Sequence, residues 1–183
     1  MSDHYDRDAP VETMWEGRFI RALRKGKWEY VARARGIRAA VILAVADGHV
    51  LLVEQYRVPL GRRCLELPAG LIGDTGQEDD PLAAAARELE EETGWRPGTV
   101  EALGDFYSSP GMVSESYTLV RATDLVRTGP GGGVDGEDIE VHRVPLAGLA
   151  AFVAAKRQQG CAMDTRLLLL LGGGLIGRDQ LSV

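Results

Sequence analysis

Cysteine is scarce in this 183-residue chain: only Cys64 and Cys161, far apart and in no metal-ligand spacing. That excludes a disulfide-stapled scaffold and a cysteine-ligated metal site, and the expectation is two reduced thiols in a cytoplasmic protein. Positive charge is in deficit, with 21 Lys and Arg against 27 Asp and Glu, a net charge of -6. Nucleic acid and anionic membrane surfaces are therefore poor partners, although a small anion met by local arginines is compatible with this balance. Long apolar runs are missing too. The greasiest stretch, "LLLLLGGGLIG" at 167–177, is too short to span a bilayer and is interrupted by three consecutive glycines. It is expected to form a buried terminal helix capped by Asp164. The opening "MSDHYDRDAPVE" is polar and acidic, which argues against a signal peptide. No "GK[ST]" follows either glycine-rich stretch, which tells against a P-loop nucleotide site.

What is present reads as one soluble globular unit, 45% hydrophobic and 26% charged, with no repeat and no internal linker. "RFIRAL", a Lys25-Gly26 turn and "WEYVAR" suggest a hairpin, while "AAVILAV" has the continuous apolar character of a strand buried on both faces. Asp47-Gly48 joins it to "HVLLVEQYR" through a dipeptide typical of two-residue hairpin turns. Pro68, Gly70, Gly73 and Gly76 mark a long turn-rich loop. A helix follows, with Asp80 as cap, Pro81 at its first position and Gly94 as its stop. Leu82, Ala86 and Leu89 give it an apolar stripe, which leaves Glu88, Glu91 and Glu92 together on a face other than the core face. "VEALGDFYSS", "SYTLVRATDL" and "IEVHRVPL" read as further strands, and "LAGLAAFVAAKRQQG" as a helix. "GPGGGVDGED", residues 129–138, reads as a mobile loop ending in acids.

The helix end poses a physical question. "RELEEETG" crowds Glu88, Glu90, Glu91 and Glu92 where the helix dipole is negative. Acids there cost up to about 1 kcal/mol each, and Glu88 and Glu92, four apart, repel. Either the run is a solvated face tolerated at modest cost, or a positive charge sits over it. Carboxylates at i and i+4 can hold a hard cation such as Mg²⁺ through oxygens at about 2.1 Å, with water completing the shell. Such a cation would reverse the repulsion and supply the charge the helix end favours.

Arg87, Glu88, Leu89, Glu91, Glu92, Gly94 and Trp95 stand in register with the second half of the Nudix box, G-x5-E-x7-R-E-U-x-E-E-x-G-U, and the segment resembles that family. The first half departs from the pattern. Asp79, beside Glu78, occupies its acidic position, and the "ELPAG" context points to Gly70 rather than Gly73 as its glycine, implying three inserted residues in the loop. "VEQYR", the "SSPG" that places Pro110 sixteen residues beyond Gly94, and the acid-bearing "VDGEDIEV" are similar to the ADP-ribose pyrophosphatase branch. The resemblance covers about residues 18–155 and is densest from 54 to 115.

It implies an α/β fold, the Nudix α/β/α sandwich with a mixed β-sheet. Residues 1–38 would be an N-terminal strand extension serving a homodimer, and 39–183 the hydrolase domain. It implies Mg²⁺, with Mn²⁺ as the alternative, held by Glu88, Glu92 and Glu91 and by the backbone carbonyl of Ala69. Arg87 and Asp79 would brace the loop, and Arg57 would meet the phosphates. Catalysis would rest on Glu92, Glu91 and an acid outside the box, placed at Glu137. Asp135, Asp138 and Glu140 lie close enough to compete for that role, and Glu115, just after the "SPG" turn, is a second candidate for it and otherwise a substrate-binding residue. Trp28 or Tyr30 could stack on a base, or simply pack at a core or dimer surface, and Arg35 or Arg38 could touch the nucleotide. The implied reaction splits ADP-ribose into AMP and ribose 5-phosphate. Its alternatives are another nucleoside diphosphate sugar such as GDP-mannose, or a silent nucleotide-binding sensor.

Overall fold

The computed structural model describes residues 6–34, 38–72, 80–134 and 136–176, with side chains as far as residue 172. Asp79, Arg35 and Asp135 fall outside these segments. Among the described residues, thirteen strands and three α-helices follow in chain order: β1 (Val11–Glu16), β2 (Ile20–Lys25), β3 (Trp28–Arg33), β4 (Arg38–Ala46), β5 (His49–Arg57), β6 (Arg62–Glu66), β7 (Ala69–Ile72), α1 (Pro81–Thr93), β8 (Trp95–Arg96), β9 (Thr99–Tyr107), β10 (Ser116–Thr123), β11 (Val126–Arg127), β12 (Ile139–Pro145), α2 (Leu149–Gln158), β13 (Ala162–Met163) and α3 (Leu168–Ile176).

The main sheet is mixed. It runs β13-β6-β5-β4-β10-β9, with β12 on the free edge of β5 and β7 beside the first half of β4. The β4–β10 and β13–β6 pairs are parallel and the other pairs antiparallel. Alternation along β4 sends Ala40, Ile42 and Ala44 to one face and Val41 to the other. The first set packs with Ala84, Ala85 and Leu89 of α1. The second packs with Leu149 and Val153 of α2 and with Leu167, just before α3. The result is helix on sheet on helix, the expected α/β/α sandwich.

β1–β3 form a separate antiparallel sheet. It joins the main body through the amide of Val31 on the carbonyl of Met112 (3.0 Å) and that of Ser114 on the carbonyl of Val31 (2.9 Å). The hairpins stand as expected, with Asp47 at φ 50° and Gly48 at φ 71°, the positive pair such a turn requires. So does α1: Asp80 accepts from the Leu82 amide at 3.0 Å, and Gly94 ends the helix at φ 73°.

Three expectations are corrected. The turn-rich loop begins later than Pro68, because β6 and β7 flank that proline. The buried side of α1 is Ala84, Ala85, Leu89 and Glu92, with Ala86 only half-buried, so the helix is rolled relative to the Leu82–Ala86–Leu89 stripe. The reason is β7, which packs along α1 and draws that side of the helix inward. Finally, α3 continues through the glycine run from Gly172, and it is only partly buried, since Leu168 and Leu169 face solvent while Leu170 and Leu171 pack on the core.

Candidate active site

One cavity of about 840 Å³ opens beside α1 and the ends of β5, β6 and β7. It gathers most of the residues singled out above. Glu88, Glu91, Glu92, Arg87, Ala69, Arg57, Glu115 and Glu137 all line it. Trp28 does not; it stands on β3 with 47% of its surface exposed.

Each side chain has a structural reason for its place. Glu92 is the most constrained, only 6% exposed, with its Oε2 accepting from the Ala69 amide at 3.1 Å. Its expected outward position is therefore corrected: β7 covers it, and Ala69 meets it through its N–H. Burial, and then the negative charges of Glu88 and Glu137, push the Glu92 carboxyl up to about 8, against the Ala69 amide and the Arg57 guanidinium, which favour ionisation. Glu88 lies across Gly70, where an added Cβ would stand 2.1 Å from the Glu88 Cγ. Gly70 is thus a seat for this carboxylate. Glu91 is exposed at the rim, and Arg87 stands 3.8 Å from Glu88.

The first part of the glycine-rich segment is tied to the end of α1. A helix leaves its last carbonyls without partners, and here the loop supplies them. The Gly132 amide donates to the carbonyl of Glu92 (2.8 Å), that of Gly133 to Glu91 (3.0 Å), and those of Thr128 and Gly129 to Gly94 (2.8 and 3.2 Å). The glycines serve close approach: a Cβ on Gly131 would stand 2.3 Å from the carbonyl carbon of Thr93. This strap delivers Glu137, whose Oε2 accepts from the Val134 amide at 3.0 Å. Its neighbours are engaged elsewhere. Asp138 pairs with Arg63 at 2.6 Å, and Glu140 lies 3.7 Å from His142.

Arg57 donates through Nε and Nη2 to Glu66, at 2.6 and 2.7 Å. Glu66 is buried, and sequence reasoning missed it, along with Arg33, Asp164 and Arg166, which also line the cavity. Arg33 reaches in from β3 to grip Glu115 at 2.6 Å. Arg33 meets Glu115 from 82 positions away, and Glu66 is approached by Arg57 and by Arg166 from separate segments, so neither grouping carries a local sequence signal.

A second acidic group sits on the opposite face of the sheet. Glu54, Glu140 and His142 bring ligand atoms within 4.8 Å of one another. Glu54 there is already compensated by Lys156 at 2.6 Å and Arg63 at 3.0 Å, which hold its carboxyl below the usual range although burial opposes them.

The signature of the NUDIX domain matches residues 34–161, more than half the chain. The chain belongs to the Nudix hydrolase family. It is 34% identical over 151 residues to a GDP-mannose pyrophosphatase of Pectobacterium atrosepticum, covering 78% of this chain and 74% of that one. It is 39% identical over 117 residues to an ADP-ribose pyrophosphatase of Mycobacterium tuberculosis, covering 63% of this chain and 56% of that one. A crystal structure described as an ADP compounds hydrolase superposes with a TM-score of 0.64 at 25% identity, covering 94% of this Nudix hydrolase and 95% of its own chain.

Proposed function

We propose that this Nudix hydrolase cleaves the diphosphate of a nucleoside diphosphate sugar, ADP-ribose first among them, into AMP and ribose 5-phosphate. The observation that carries this reading is the convergence on one cavity of the α1 carboxylates, Arg57 and Glu137. The ADP-ribose pyrophosphatase and the ADP compounds hydrolase among its relatives support the choice of substrate. GDP-mannose is the second reading, because similarity to the GDP-mannose pyrophosphatase extends over more of the chain.

A divalent cation fits the α1 carboxylates on electrostatic grounds. Glu92 is raised in proton affinity by its burial first and then by the like charges of Glu88 and Glu137, and a cation among these carboxylates would offset the repulsion between them. The Glu54 group, by contrast, has Lys156 and Arg63 in place. Glu88, Glu91 and Glu92 would hold the cation, Mg²⁺ with Mn²⁺ as the alternative, and the Ala69 carbonyl is the further oxygen assigned to it. When bound, it supplies charge neutralisation for the diphosphate and acidifies water.

The chain's own residues do the rest. Burial and the charges of Glu88 and Glu137 raise the proton affinity of Glu92, and a cation held there would favour its ionised form. Arg57 uses two of its five N–H donors on Glu66, which fixes the plane of the guanidinium and leaves its remaining donors for phosphate oxygens. Glu137 is assigned to accept the proton of the water that attacks phosphorus, as one P–O bond of the diphosphate bridge breaks. Trp15 and Trp28, exposed on the β1–β3 sheet, and Phe19, exposed between β1 and β2, support a homodimer formed through that extension.

The test is product identification over a panel of nucleoside diphosphate sugars with Mg²⁺. AMP release from ADP-ribose supports the proposal, GMP release from GDP-mannose alone moves it to the second reading, and binding without turnover refutes it in favour of a sensor. Glu137→Gln should lower kcat about 10²- to 10⁴-fold while KM stays within a few-fold.

A further inference from the structure

Arg166 was reached by no motif, yet its surroundings are unusual for a surface arginine. It lies in the 3₁₀ turn Thr165–Leu167 that leaves β13, and β13 runs parallel to β6 beside Glu66. Leu167, 2% exposed, pins the turn in the core. Asp164 both caps the turn, accepting the Arg166 amide at 2.7 Å, and grips the guanidinium through Nε and Nη2, each at 2.6 Å. Tyr117 lies under the guanidinium, 5.5 Å from its ring centroid. Nη2 also stands 3.7 Å from Glu66, the carboxylate that Arg57 grips. Two guanidiniums thus share one buried acid, with Asp164 balancing the second, so both are fixed in plane before any ligand arrives. Arg166 borders two spaces, the main cavity and an adjoining cleft of about 280 Å³ lined by Tyr107, Ser108, Thr165, Leu168 and Leu169.

We propose that Arg166 is a substrate-binding residue, gripping a phosphate of the bound molecule alongside Arg57. The half of the substrate attached to that phosphate enters the adjoining cleft. This rests on the diphosphate reading above. The chemistry recognised is a non-bridging phosphate oxygen, carried by the diphosphate of the substrate and by the phosphate monoester of either product.

The experiment measures ADP-ribose kinetics with Mg²⁺ and, by calorimetry, the affinities of AMP and of ribose 5-phosphate, for wild type, Arg166→Lys and Leu168→Glu. Lysine keeps the charge opposite Asp164 but loses the planar fork. Glutamate at exposed Leu168 sets a negative charge in the cleft while removing no buried contact. Arg166→Lys is expected to raise KM about tenfold or more, with kcat within about threefold, because a charged bidentate contact is lost. It should weaken one of the two products to a similar degree, and the product weakened identifies the half held. Leu168→Glu should weaken the same product about threefold or more at unchanged Tm. A merely structural arginine would lower Tm and kcat and leave KM and both product affinities at wild-type values, which overturns the proposal. So does unchanged product affinity in both variants. If ADP-ribose is not turned over, the reaction reading fails, whereas loss of AMP or ribose 5-phosphate affinity in both variants still establishes the grip.

Discussion

Gly131 offers a matched comparison with Gly48, since both have φ of 71°. An alanine at either position enters the left-handed region, at about 1–2 kcal/mol. The two differ in what surrounds the new methyl group. At Gly48 there is nothing within 4 Å, whereas at Gly131 the Cβ would lie 2.3 Å from the Thr93 carbonyl carbon, 2.6 Å from its oxygen and 2.7 Å from the Glu92 oxygen. These are backbone atoms of a packed helix end, and carbon atoms normally approach no closer than about 3.5 Å. The strap must therefore move by about an ångström. That movement breaks the bonds from Gly132 and Gly133 to the Glu92 and Glu91 carbonyls, each contributing about 0.5–1.5 kcal/mol. Gly131→Ala should lower unfolding free energy by about 2–5 kcal/mol in urea titrations, and Gly48→Ala by about 1–2 kcal/mol. The activity difference should be larger still. Displacing Glu137 by about an ångström costs on the order of 10²-fold in kcat, while Gly48→Ala stays near wild type. Equal stability loss and equal kcat in the two variants would refute the strap as the device that places Glu137.

Two further outcomes follow from the same geometry. Gly70→Ala should evict Glu88 from its seat, weakening Mn²⁺ affinity in a calorimetric titration by about tenfold or more with little change in Tm, because the atoms in the way belong to a side chain that can turn aside. In metal-free protein, the Glu92 carboxyl is raised from its unfolded value of 4.5 to about 8. Its stabilising contribution is therefore full below pH 4.5 and is lost as pH rises through 8. Glu92→Gln removes that loss, so with EDTA present the variant should match wild type near pH 4 and exceed it above pH 8, by on the order of 3–5 kcal/mol. A constant difference between the two proteins across that range would contradict the burial argument.

Local signals were legible in the sequence and long-range ones were not. Asp80, Pro81 and Gly94 bounded α1, and Asp47-Gly48 set its hairpin, because caps and tight turns are chemistry among near neighbours. The layered fold followed from the Nudix resemblance of residues 87–95, with the strand and helix patterning consistent with it. The roll of α1 was hidden, since it depends on β7, and β7 itself was masked by Pro68 and Gly70, which read as punctuation. The glycines of 129–138 suggested only a mobile loop because composition reports freedom, whereas at Gly131 freedom from a Cβ also permits contact with Thr93. The Glu66, Arg57, Asp164 and Arg166 network and the Glu54, Arg63, His142 and Lys156 network join residues as much as a hundred positions apart, and no periodicity links them.

The central claim is that the α1 carboxylates, Glu88 and Glu92 above all, take up a divalent cation, and calorimetric titration of Mn²⁺ tests it most directly. The account predicts saturable uptake by wild type and by His142→Ala, and none by Glu88→Gln/Glu92→Gln. Uptake that survives the double substitution and disappears with His142→Ala would place the cation at the Glu54, Glu140 and His142 group instead, and contradict the account.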